Sequence, residues 1–126
     1  MAKALGIGGI FFKTEDPDNL AKWYRTWLKF PEGDESYVPF PPANIPEGGF
    51  TLWGPFAKDT EYFGNPDQKS MINIMVDDLD EALKQVAEGG AEVIPKTEDY
   101  PYSRFGWWVG PTGNRVELWQ APGGES

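Results

Sequence analysis

The sequence predicts an α+β domain built from two successive strand–helix–strands units. Short apolar runs typical of buried strands occur at residues 6–13 and 71–76, and each precedes an acidic helix cap and an amphipathic helix. The segments GIFFKTEDPDNLAKWY and INIMVDDLDEALKQVA also align with one another, which indicates an internal repeat. Because 126 residues suit one domain, we expect a single unit with half-repeats at about 5–66 and 70–122.

The first unit opens with the Ile- and Phe-rich run at residues 6–13, which predicts a buried strand. Residues 15–18 supply an acidic N-cap with Pro at the first helical position, and apolar residues at helical spacing extend the helix to about Lys29. The Pro-rich stretch 30–49 excludes a helix and permits only short or edge strands. Further short strands are predicted at residues 36–40, 50–53 and 61–65.

The second unit opens with the apolar strand at residues 71–76. Asp77 and Asp78 then cap an amphipathic helix, which Gly89 and Gly90 end as a C-cap. The last strands are predicted at residues 91–94, 104–109 and 115–120. Residues 95–103 are predicted to form a loop, which is either a lid over a binding site or an inert connection.

Composition excludes several classes of function. The chain has no Cys and no His, so disulfides, thiolate nucleophiles, Ser-His-Asp catalysis and His-containing metal sites are ruled out. A net charge of −9 disfavours nucleic acids and anionic membranes as partners; it suits a neutral or cationic small ligand, or serves only solubility. Apolar runs are too short to span a bilayer and no leader-like segment follows Met1, so we expect a soluble, cytoplasmic protein.

Three segments resemble the glyoxalase/bleomycin-resistance/dioxygenase superfamily, also called vicinal oxygen chelate proteins. VDDLDEALKQVAEGGAEV followed by RFGWWVGPTGNRVELWQ is similar to that superfamily's strand, D-D-x-D-x-A helix and closing D-P-x-G-N-x-x-E-L-W signature, with Gly110 where Asp is usual. FFKTEDPDNLAKWYRTWLKF resembles its strand followed by D-x-x-x-x-x-F-Y-x-x-x-L-G-F. The resemblance implies two βαβββ half-repeats that form a curved, open, barrel-like mixed sheet, with helices outside and a ligand cavity inside.

The resemblance also implies where a divalent metal would bind. Enzymes of this superfamily use four side chains, typically His, Gln or Glu, from the first and last strands of each half. The corresponding positions here are about Gly9, Trp53, Met71 and Glu117. Because only Glu117 offers a suitable ligand, we expect no cofactor, although a divalent metal is possible if a chelating substrate supplies the remaining ligands.

Strand alternation assigns the faces of the last strand. Val116 and Leu118 share the face that should meet the helix, while Glu117 and Trp119 share the other. The resemblance places the second face in the cavity, where Glu117 is a candidate catalytic base or a counter-ion for a cationic ligand. The alternatives are exposure to solvent and a structural ion pair with Arg104 or Arg115.

Aromatic content supplies further candidates for the cavity wall, because six Trp are more than a core of this size needs. The ligand-binding candidates are Phe11, Trp53, Met71, Asn73, Met75, Tyr102, Phe105, Trp107 and Trp119. Asn73, polar in an apolar strand, needs a hydrogen-bond partner, which is Glu117, a ligand or neighbouring backbone. Trp23 and Trp27, at helical spacing, are expected to pack on the sheet or on a partner subunit.

Two functions from different classes are consistent with these residues. The first is a non-enzymatic protein, like the bleomycin-resistance branch, that binds a planar or cationic small molecule between aromatic walls. The alternative is a divalent-metal-dependent lyase, isomerase or dioxygenase that uses Glu117. A domain that serves only in assembly is a third possibility. The resemblance implies a homodimer.

Overall fold

The computed structural model describes residues 1–5, 7–33 and 36–121. The chain forms two α-helices, four strands and a short 3-10 turn at Pro42–Asn44. In chain order the elements are α1 (Pro17–Leu28), β1 (Asn73–Val76), α2 (Leu79–Glu88), β2 (Glu92–Tyr100), β3 (Ser103–Val109) and β4 (Arg115–Gln120). The second predicted unit therefore forms a βαβββ motif.

The four strands form one open, mixed sheet in the order β1-β4-β3-β2. β1 lies parallel to β4, whereas β4 with β3, and β3 with β2, are antiparallel. The parallel pair is possible because the chain between β1 and β4, which contains α2, β2 and β3, is long enough to return to the same end of the sheet. β1 and β2 are the two free edges, so the sheet is not closed. The predicted α+β class with an open mixed sheet is thereby confirmed.

Both helices begin where their acidic caps predict. The Asp16 carboxylate accepts a hydrogen bond from the Asn19 amide at 3.1 Å, and Pro17 occupies the first turn. The Asp78 carboxylate accepts from the Glu81 amide at 3.2 Å. Each bond satisfies an amide that has no partner inside its helix. Among the described residues, no helix has the length and apolar character needed to cross a membrane.

The core lies between both helices and one face of the sheet. Val116, Leu118 and Trp108 on this face are buried. They pack with the apolar side of α2, made of Leu79, Ala82 and Val86. Trp23 of α1 stacks on Trp108, with ring centroids 5.4 Å apart. The prediction that the Val116 and Leu118 face meets the helix is confirmed, as is the packing of Trp23 on the sheet.

The predicted loop at residues 95–103 is wrong, because β2 continues through most of it to Tyr100. The register between β2 and β3 shifts between Val93 and Thr97, which marks a bulge. Pro95 lies inside this irregularity on an edge strand. Proline is tolerated there because its missing N–H is not needed for a hydrogen bond between strands. These residues therefore form sheet rather than a lid.

The strands predicted in the first unit are also wrong. Residues 7–13, 36–40, 50–53 and 61–65 contain no strand, and only Gly6 of these predictions lies outside the described residues. Phe11 is 91% exposed and Leu52 78% exposed. A strand needs a neighbour with which to exchange backbone hydrogen bonds. The apolar pattern of these segments supplies the side chains of a strand, but they pair with neither free edge of the sheet.

Candidate functional site

The candidate site lies on the sheet face opposite the helices. The strand registers create two cross-strand rows there, Asn73–Glu117–Trp107 and Met75–Trp119–Phe105. Each row runs from β1 through β4 to β3, because residues in register point to the same side of a sheet. Six of the ten predicted site residues are thus brought together on one surface.

Glu117 is the centre of this surface and is only 7% exposed. The side-chain amide of Asn73 donates a hydrogen bond to its Oε1 at 2.5 Å, and the Trp107 indole donates to its Oε2 at 2.8 Å. The Tyr62 hydroxyl donates a third bond, also to Oε2. All three donors are neutral, so they stabilise the carboxylate without cancelling its charge.

No Lys or Arg in the described part of the chain forms an ion pair with Glu117. The Arg104 guanidinium instead donates hydrogen bonds to Asp80 at 3.1 Å and to Asp99 at 2.7 Å, and these bonds raise its pKa. The Arg115 guanidinium donates to the Tyr62 carbonyl at 3.3 Å. The alternative that Glu117 forms an ion pair with Arg104 or Arg115 is therefore wrong for the described structure.

Tyr62 is the site residue that sequence reasoning missed. It is half-buried, and burial raises its pKa, as do the hydrogen bond to Glu117 and the negative charges of Glu117 and Glu98. The hydroxyl therefore keeps its proton and acts as a donor. No local signal could have found it, because its partner lies 55 residues further along the chain.

Aromatic rings surround the carboxylate. Phe105 and Trp119 stack with centroids 6.3 Å apart, and Phe50 contacts Trp119 edge-on at 4.9 Å. The Tyr62 ring meets Trp107 edge-on at 6.0 Å, and Phe56 stacks on Tyr62 at 5.4 Å. Residues of the first unit therefore cover this face, although they form no strand there.

The remaining predicted site residues lie apart from this cluster or at its border. Phe11, Trp53 and Tyr102 are 91%, 75% and 80% exposed, so they form no wall in this conformation. Met71 is half-buried just before β1. Trp119, by contrast, is buried, and its indole N–H has no partner among the described residues.

Glu117 lines neither of two surface cavities found on the protein. The larger, about 840 Å³, lies beside α1 and the turn between β3 and β4. The smaller, about 250 Å³, lies beside Arg115 and Gly64. The carboxylate is thus covered by its donors and by the aromatic rings, so a ligand has to displace something to reach it.

Hydrogen-bond donors face the Glu117 carboxylate in this structure. Asn73 and Trp107 direct N–H groups at the carboxylate, and Tyr62 directs an O–H group. Within residues 1–5, 7–33 and 36–121, no three His, Cys, Asp or Glu side chains come together as a metal-binding group. Of the four positions that the resemblance indicates, only Glu117 carries a carboxylate.

Comparisons with known proteins agree with the closing motif and the βαβββ unit. A search of curated proteins and a search of solved structures each returned no match. A family model described as a glyoxalase-like domain matches residues 9–119, which is most of the chain. The chain therefore belongs to the glyoxalase-like domain family, part of the glyoxalase/bleomycin resistance/dioxygenase superfamily.

Proposed function

We propose that this protein binds a small organic cation at Glu117, on the sheet face opposite the helices, without a resident metal. The observation that carries the proposal is a 7% exposed carboxylate whose three partners are all neutral. Buried carboxylates are usually paired with a cation, because moving one charge out of water costs on the order of several kcal/mol. A positively charged ligand would supply the missing charge.

The aromatic surroundings support the same class of ligand. Trp107 and Tyr62 flank the carboxylate, and Trp119 and Phe105 extend the aromatic surface along the sheet. Aromatic faces attract cations by roughly 0.5–2 kcal/mol each, more strongly when the site is dry. The net charge of −9 adds a long-range field that concentrates cations at the surface.

Two benzyl cations can test this function, since both carry a planar ring and a positive nitrogen. We expect benzylammonium and benzyltrimethylammonium to change the tryptophan fluorescence of the wild-type protein on binding. Glu117→Gln removes the charge and keeps the shape, so it should weaken binding of both probes by about tenfold or more. Glu88→Gln removes one charge from the exposed end of α2 and should leave binding unchanged. Equal affinities for all three proteins would refute the proposal.

The metal-dependent alternative is tested with the same proteins. Calorimetric titration of metal-stripped protein with Mn²⁺, Ni²⁺, Zn²⁺ and Mg²⁺ should show no tight binding that depends on Glu117. Micromolar affinity abolished by Glu117→Gln would contradict our proposal and favour a divalent-metal-dependent lyase, isomerase or dioxygenase.

A further inference from the structure

We propose that Tyr62 is a gate that competes with the ligand for Glu117, and that it lowers the affinity of the site for protonated amines, which carry N–H groups, without lowering its affinity for quaternary ammonium ions. This rests on the function proposed above and adds to it a ligand class and a residue that determines specificity. The Tyr62 hydroxyl donates a hydrogen bond to the carboxylate, as an ammonium N–H would.

The three donors to Glu117 differ in how firmly the fold holds them. Asn73 lies in β1 and Trp107 in β3, and both strands pair with β4, which carries Glu117. Their backbones are therefore fixed by the sheet. Tyr62 comes from residues 54–70, which contain turns and bends but no helix or strand. Of the three donors, only Tyr62 lies on a segment outside the sheet.

The turn that carries Tyr62 is held together mainly by its own bonds. The Tyr62 amide donates to the Thr60 hydroxyl at 3.2 Å, and the Gly64 amide donates to the Glu61 carbonyl at 3.0 Å. Gly64 has a φ of +82°, which glycine adopts without strain. The described polar links from Tyr62 to the sheet are its hydroxyl bond to Glu117 and the Arg115 bond to its carbonyl. Gln68, further along the same segment, is buried and exchanges two 2.8 Å hydrogen bonds with the Arg115 backbone. The movement that releases the Tyr62 hydroxyl is therefore confined to the residues before Gln68.

The hydroxyl also occupies a specific acceptor position. Glu117 Oε2 accepts from both Tyr62 and Trp107, while Oε1 accepts from Asn73. A carboxylate oxygen has about two lone-pair directions, so Oε2 is saturated. Oε1 accepts one bond and so retains a second lone-pair direction. A protonated amine can therefore reach Oε1 directly, but it contacts both carboxylate oxygens only when the tyrosine hydroxyl leaves Oε2. A quaternary ammonium ion has no N–H and cannot donate a hydrogen bond to the vacated lone pair. Loss of the hydroxyl should therefore change its affinity little.

The decisive experiment compares both probes on Tyr62→Phe, which keeps the ring and removes the hydroxyl. At pH 8, well above the ordinary pKa range of carboxyl groups, benzylammonium should bind this variant about tenfold more tightly than wild type, because no hydroxyl competes for Oε2. Benzyltrimethylammonium should change by less than about twofold. Tyr100→Phe is the matched control, because it removes an exposed tyrosine–glutamate bond, to Glu98, and should alter neither affinity.

The outcomes separate the gate from the proposed function. If wild type binds both probes and loses them in Glu117→Gln, but Tyr62→Phe binds benzylammonium no better than wild type, the gate is refuted and the binding function stands. If neither wild type nor Tyr62→Phe binds either probe, both proposals fail. Tighter binding of benzylammonium alone supports the gate.

A second measurement needs no variant at this position, in case Tyr62→Phe does not fold. Saturating wild-type protein with benzylammonium should increase nitration of Tyr62 by tetranitromethane, located by peptide mass spectrometry, because the displaced ring becomes accessible. Benzyltrimethylammonium at the same occupancy should increase it less. Unchanged or reduced nitration in the presence of benzylammonium would overturn the gate.

Discussion

At the scale of single residues, the burial of Glu117 depends on the chemistry of its neighbours. Trp107 and Asn73 donate to the carboxylate from the two strands on either side. Charge-assisted hydrogen bonds of this kind are stronger than those between neutral groups. The site can therefore keep a buried negative charge in the folded protein.

Two tyrosines predict how stability depends on alkaline pH. Burial raises the pKa of Tyr24 to about 12, and burial together with Glu117 raises that of Tyr62. A raised pKa in the folded state means that folding favours the protonated phenol. This contribution to stability is complete below the ordinary pKa, about 10, and is lost as the pH rises through the folded-state value.

We therefore expect the free energy of unfolding, measured by urea denaturation, to fall as the pH rises from about 10 to about 12. Tyr24→Phe removes one contributing phenol, so its decline over this range should be shallower than that of the wild type. Identical pH profiles for the two proteins would show that Tyr24 is not desolvated in the native state.

At the scale of elements, α2 is the helix on which the core depends. Three of its side chains are buried against the sheet, so loosening its first turn should loosen the core. Its N-terminus relies on the Asp78 carboxylate. Its C-terminus meets α1, where the Trp23 indole donates to the Gly89 carbonyl at 3.0 Å.

Asp78→Ala should lower the free energy of unfolding by about 1 kcal/mol, because the Glu81 amide loses its acceptor. The measurement is chemical denaturation followed by circular dichroism. Asp77→Ala is the matched control: it removes the same charge one residue earlier, outside the cap position, and should have a much smaller effect. Equal losses for the two variants would assign the effect to charge rather than to capping.

Gly89→Ala tests the close approach of the two helices. A methyl group there would lie 2.7 Å from the Trp27 indole, closer than such contacts occur, so the rigid ring would have to move. We expect a loss of roughly 1–3 kcal/mol in unfolding free energy, the range typical of overpacking. Gly54→Ala, where the new methyl group meets no atom within 4 Å, should be nearly neutral. A neutral Gly89→Ala would show that Trp27 repacks freely.

At the scale of the whole molecule, the two halves of the chain differ in how much of their apolar side-chain surface is exposed to solvent. The second half buries its apolar residues between helices and sheet, whereas the first half leaves large side chains such as Phe11, Leu52 and Trp53 more than 70% exposed. Extended apolar surfaces of this kind commonly mark contacts between proteins. β1 and β2 also remain as free sheet edges.

We expect a second copy of the chain to cover the exposed apolar surface that includes Phe11, Leu52 and Trp53. The protein should therefore be a homodimer. Sedimentation equilibrium at micromolar concentrations should give twice the mass of one chain, and Phe11→Ser should shift the population toward monomer. Tyr102→Ser, an 80% exposed aromatic in the second half, should leave the mass unchanged. A monomeric wild-type protein at about 100 µM, a concentration at which micromolar dimers form, would contradict this prediction.

The sequence by itself determined the features that arise from neighbouring residues. Capping by Asp16 and Asp78 depends on groups three residues away, and the alternation that places Glu117 opposite Val116 depends on adjacent positions. The closing motif of the family likewise lies within one hairpin. Such local rules act the same way wherever the segment lies in the fold.

Only the tertiary structure decided which distant groups meet. It brought Tyr62 to Glu117, extended β2 past Pro95 by pairing it with β3, and left the predicted first-half strands unpaired. A strand or a buried hydrogen bond needs a partner, and that partner can come from any part of the chain. Periodicity in one segment carries no information about that choice, because it is made by the free energy of the whole packed arrangement.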